Sequence, residues 1–126
     1  MSFGPGDIEP SETRGGETPG YVPLTPANPV TFDRKELDRI FDLYGRKVAA
    51  GEWRDYAIDF LKDRAVFSIF RRAADMPIYR IEKRPRHTRR QGAYSVVSLT
   101  GLILKRGSEL DRVLRVLDPS LRLVVN

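Results

Sequence analysis

The run AVFSIFRRAADMPIYRIEK, residues 65–83, constrains the fold more than any other part of the chain. Val66, Phe67, Ile69 and Phe70 are the β-branched and aromatic residues that a pleated, half-buried surface accepts, and Ile78, Tyr79 and Ile81 answer them after a short break at residues 73–77. Two such runs with a short connection read as a hairpin. A hairpin is only marginally stable in water, so the flanking chain has to supply more strands and a cover for their apolar side.

Upstream, Asp33 is a good N-cap, Glu36 completes a capping-box pattern, and Leu37, Ile40, Phe41, Tyr44 and Val48 follow the i, i+3, i+4, i+7, i+11 spacing of one stripe. The pattern predicts a helix over residues 34–50, closed by Gly51, that lays this stripe on a sheet. Gly45 inside it costs about 1 kcal/mol against alanine. Trp53 is expected to pack back on the last turn. From Asp55 the period changes to two: Tyr56, Ile58 and Phe60 point one way, Ala57, Asp59 and Leu61 the other. That is a first strand, and residues 62–64 turn the chain into the hairpin.

Downstream, Pro85 ends the strand at residues 78–84, and the loop RHTRRQG leads to another at residues 94–99. Thr100 and Gly101 are expected to form a two-residue turn into a fifth strand over residues 102–105. Five strands with short connections imply an antiparallel meander. Ser108 as N-cap, Asp111 at the capping-box position and the stripe Leu110, Val113, Leu114, Leu117 predict a second helix over residues 109–118, ended by Pro119. Leu121, Leu123 and Val125 alternate and predict a short final edge strand. The expected fold is α+β, a two-layer sandwich of N-terminal helix, five-stranded meander, C-terminal helix and short last strand.

Residues 1–29 are rich in proline and glycine, with hardly a bulky apolar group before Tyr21, and are expected to be a disordered tail. Residues 30–126 are then one domain. The 126-residue chain has no cysteine, which excludes disulfides and thiolate metal sites and fits a reducing cytoplasm. No apolar run approaches the roughly 18 residues of a membrane span, and no basic-then-apolar leader opens the chain. The expected location is therefore the cytoplasm, with no membrane contact.

Charge is divided unevenly. Residues 1–30 hold Arg14 against Asp7, Glu9, Glu12 and Glu17, a net of −3, so a chain of +5 carries +8 on the remainder. Arg80, Lys83, Arg84, Arg86, Arg89 and Arg90 fall within eleven residues around the connection between the third and fourth expected strands, with Arg71 and Arg72 at the far end of the adjoining hairpin strand. These eight are the candidate anion-binding residues. Arginine forks suit bidentate phosphate contacts, and successive cations can meet successive phosphates. The function expected on this basis is a non-catalytic module engaging nucleic acid, RNA more than DNA. The alternative is an adaptor in which an edge strand, or residues 21–29, joins an acidic partner or a second copy. The plain reading of the loop is a solvated one that blocks edge pairing. Phe67, Phe70, Tyr79 and Tyr94 could form a stacking platform but read better as core, because a sheet this small needs its large side chains.

Signals for catalysis are weak. His87 has no second histidine or cysteine for a metal and no carboxylate to orient it. A metal-dependent nuclease could be composed from Asp59, Glu82 and Lys83, but Lys83 follows Glu82 directly and so points to the opposite face. No glycine-rich phosphate loop is present, and no cofactor or metal is expected.

The runs TFDRKELDRIFDLYGRKVAAGEWRDYAIDFLKDRAVFSIFRR, PIYRIEKRP, QGAYSVV and GLILKRGSELDRVLRVLD resemble a family of small uncharacterised alphaproteobacterial proteins classed as a domain of unknown function. The resemblance covers residues 31–124. It implies a bacterial, cytoplasmic setting and assigns no activity, cofactor or catalytic residue.

Overall fold

A helix start that caps itself opens the folded part of the computed structural model, in which residues 28–72, 75–87 and 92–118 are described. The Asp33 carboxylate accepts from the Glu36 N–H at 2.8 Å and Glu36 returns the bond to the Asp33 N–H at 2.7 Å, as the capping-box pattern requires. Helix α1 then runs Arg34–Ala49. It closes through Gly51, whose φ of +78° suits a residue without a Cβ, while the Trp53 N–H reaches back to the Lys47 carbonyl. The Trp53 ring is buried against Tyr44.

Strands β1 (Asp55–Phe60), β2 (Ala65–Phe70), β3 (Tyr79–Lys83), β4 (Tyr94–Ser98) and β5 (Ile103–Gly107) form one sheet in sequence order. Every neighbouring pair is antiparallel. One register row runs Ile58, Phe67, Ile81, Val96 across four strands and faces the helices. The next row, Asp59, Val66, Glu82, Ser95, Arg106, faces away from them, because successive side chains alternate. Helix α2 (Leu110–Leu114) covers β4 and β5. Phe67 is the hub of the layer contact: its ring stacks on Tyr56 and meets Phe41 and Tyr44 of α1 edge-on. This is the expected two-layer α+β arrangement.

Local details differ from the sequence reading, each for a tertiary reason. The buried side of α1 is Glu36, Ile40 and Leu43, whereas Phe41 and Val48 of the expected stripe are exposed. Helix α2 lies beside α1 in the same direction, with Arg39 near Asp111 (3.5 Å) and Arg46 near Asp118 (3.8 Å), and this second neighbour rotates the buried arc toward Leu43. The last hairpin is closed at Ser98 and Leu102 rather than by two residues, although Gly101 does take the positive φ, +91°. A register shift between Val96 and Val97 moves β5 along, so it ends at Gly107 opposite Tyr94. The chain leaves the sheet only there, and the N-cap of α2 falls on Glu109 instead of Ser108, without a side-chain cap bond. The helix itself is shorter than the expected 109–118. The expected final strand at Leu121, Leu123 and Val125, and residues 1–27 of the expected tail, lie outside the described residues.

Candidate functional site

Alternation along β3 divides the arginine-rich stretch between two faces. Arg80, Glu82 and Arg84 point away from the helices, and Lys83 points toward them. Glu82 is buried and takes Arg80 Nε at 3.3 Å on one oxygen and Arg84 Nε at 3.2 Å on the other. Arg84 also reaches Asp63 at 3.3 Å. Breaking a buried pair from one side is strongly destabilising, so these arginines are committed to holding the sheet surface together.

On the helix side, Lys83 Nζ lies 2.8 Å from Glu36 Oε1 and donates to the Thr31 carbonyl at 2.9 Å. The Tyr94 hydroxyl donates to the other Glu36 oxygen. Glu36 thus receives the Asp33 N–H, an ammonium and a phenol beneath the first turn of α1. Burial raises the Tyr94 pKa well above the usual phenol value, and the hydrogen bond to Glu36 and the negative charges of Glu36 and Asp33 add to the shift. Tyr44 moves the same way, by burial first and then by Asp55 and Tyr56.

The other candidate cations are dispersed. Arg71 and Arg72 follow β2 at the end of the sheet opposite Arg84 and Arg86, a strand's length of about 17 Å away. Arg71, Arg72 and Arg86 are exposed and form no ion pair with described residues. Arg89 and Arg90 lie outside the described residues. The carboxylates weighed for metal chemistry do not converge either: Asp59 and Glu82 stand two strands apart with Val66 between them. Among the described residues no cluster of histidine, cysteine and carboxylates could hold a metal.

Sequence reasoning passed over a different feature. Between edge strand β5 and α2 lies an open groove of about 590 Å³, lined by Lys105, Arg106, Ser108, Arg112, Val113 and Val116 among others. Arg115 also borders it, and Glu109, the one acid of the lining, pairs with Arg112 at 2.9 Å. Lys105 and Arg115 have no ion pair among the described residues. Leu102 and Ile103 at the start of β5 and Val116 beyond α2 are exposed. The signal was present in the run LKRGSELDRVLRV, which holds four cations against two acids, but only the tertiary packing gathers them along one edge.

The fold and its surfaces define a small α+β domain with ionic patches and an open, basic sheet edge. No described helix is long and apolar enough to cross a membrane. The chain belongs to DUF2794, a protein family of unknown function, whose profile matches residues 30–114. No curated protein and no solved structure gives a significant match.

Proposed function

We propose that this protein is a non-catalytic interaction module, an adaptor that takes an acidic, extended polypeptide along the outer side of β5. One observation carries the reading: the β5 edge has no strand beside it among the described residues, and it borders a groove whose lining holds four cations and one acid. Strand addition would supply main-chain hydrogen bonds, exposed Leu102, Ile103 and Val116 would take alternate apolar side chains, and Lys105 and Arg115 would select acidic ones. Nucleic-acid binding is supported less well. Of the eight cations expected to form its landing surface, Arg80, Lys83 and Arg84 are held by internal carboxylates.

The test uses fluorescence anisotropy with a labelled peptide of alternating glutamate and valine, the matching lysine–valine peptide, the acidic peptide N-methylated at alternate residues, and a single-stranded RNA of equal charge. The acidic peptide should bind, the other two peptides should bind far more weakly, and Lys105→Glu should weaken the acidic one. Equal binding of the N-methylated peptide would overturn strand addition. Binding of the RNA alone would replace the adaptor with the polyanion reading.

A further inference from the structure

The register assigns each residue of the open β5 edge to a face of the sheet. Ile103 pairs with Val97 and points away from the helices, whereas Lys105 pairs with buried Val96 and points toward them, into the groove beside α2. Helix α2 runs in the direction of α1, whose start sits on Lys83 and Tyr94, and Tyr94 pairs with Gly107 at the end of β5. The far end of α2, with Arg115, therefore lies beside the start of β5. An antiparallel strand laid on this edge meets Lys105 on the helix side, Ile103 on the outer side and Arg115 on the helix side again. It fits best with acid, apolar and acid in succession. Asp7, Ile8 and Glu9 have that order, and the acids of the chain that lie outside the described residues all stand in this region: Asp7, Glu9, Glu12 and Glu17. Residues 73–74, 88–91 and 119–126, the other undescribed stretches, hold none.

We infer that in the free protein the β5 edge is taken by the chain's own residues 7–9, an internal competitor for the acidic polypeptide proposed above. The inference rests on the adaptor reading and adds its regulation. With Ile8 opposite Ile103, Asp7 stands opposite Lys105 and Glu9 beside Arg115. Pro10 then falls past the first residue of β5, where no ladder bond asks for its missing N–H. The connection is long enough. The Val30 N–H meets the Leu61 carbonyl at 2.8 Å, just past the end of β1. Strand β5 is four strand spacings away, about 19 Å, and its start is about 17 Å further up, a diagonal of about 25 Å. The twenty residues 10–29 span at most about 70 Å, and about 25 Å root-mean-square for a glycine-rich chain. That match places the segment at an effective concentration in the millimolar range. A segment whose untethered Kd is about 0.1 mM then closes the edge about nine-tenths of the time, and an outside peptide binds about tenfold more weakly.

Two measurements on the full chain test this. In anisotropy titrations with the labelled glutamate–valine peptide, Asp7→Asn with Glu9→Gln should bind about tenfold more tightly than the wild type. The control Glu12→Gln with Glu17→Gln removes the same charge and should gain less than about twofold, because it leaves the matched residues in place. Since the chain has no cysteine, Ser11→Cys takes a single nitroxide label. The amide signals of residues 102–105 and 115–116 should broaden most and those of β1 least, and Asp7→Asn with Glu9→Gln should remove the broadening. Equal gains from the two pairs of substitutions, or no selective broadening at β5, would overturn the internal competitor. Broadening that passes from a labelled chain to an unlabelled, isotope-enriched copy would assign the contact to a second molecule and overturn it too. If the wild type and Asp7→Asn with Glu9→Gln bind the peptide equally, the adaptor reading stands and the competitor falls. If neither binds it, the adaptor reading falls; broadening at β5 still shows the internal contact, and its absence ends both.

Discussion

Replacing Glu36 by alanine should destabilise the domain far more than removal of a surface charge. Three donors converge on its buried carboxylate: the Asp33 N–H, Lys83 Nζ at 2.8 Å and the Tyr94 hydroxyl. Loss of the reciprocal cap is worth about 1 kcal/mol. A phenol left without a partner in a part-buried position adds about 1–2 kcal/mol. Lys83 keeps the Thr31 carbonyl and some solvent, so its loss is discounted from the buried-pair value to about 1 kcal/mol. The three together give about 3–4 kcal/mol, or a fall in Tm of roughly 12–30 °C for a domain of this size. Glu36→Gln, which preserves shape and hydrogen-bonding capacity, should lose less than half as much. Thermal and urea unfolding followed by circular dichroism would measure both. A Glu36→Ala loss below about 1 kcal/mol, the range of exposed pairs, would refute the view that this carboxylate pins α1 to β3 and β4.

Two glycines should respond in opposite senses. Gly92→Ala places a Cβ at a φ of +87° and 2.1 Å from the Gly107 carbonyl carbon, so it should cost about 3 kcal/mol or more and lower the yield of folded protein. Gly45→Ala meets nothing within 4 Å on a helix interior and should raise stability by up to about 1 kcal/mol in the same unfolding assay. Because the folded Tyr94 phenol has a raised pKa, the unfolded chain sheds its proton first as pH climbs past the ordinary value of 10.0. Stability contributed by the neutral phenol is complete below that pH and declines above it. Melting temperatures taken from pH 8 upward should therefore fall less steeply in Tyr94→Phe than in the wild type, and equal slopes would reject Tyr94 as the source.

Much of the architecture was legible in order along the chain. The capping box at Asp33 and Glu36, the hairpin at residues 65–83 and the glycine turn at Gly101 are local matters of backbone preference and side-chain period, and each stands where its residues say. The candidate site was much less legible. Strand alternation puts Glu82 beside Arg80 and Arg84, but nothing local says that Asp63 will also meet Arg84 or that Glu36 will meet Lys83. Glu36 comes from a helix start 47 residues away. Likewise Leu43 is buried and Phe41 exposed because α2 docks beside α1, a neighbour no periodicity within α1 can reveal.

The amino-acid order alone determined that this chain forms two helices and an antiparallel meander, because period, capping and turn chemistry act over a few neighbouring residues. Which cations stay available was decided only when the layers closed. Packing brought Glu36 and Asp63 from distant segments to Lys83 and Arg84 and left Lys105 and Arg115 beside an open edge, and electrostatic pairing depends on distance in space rather than along the chain.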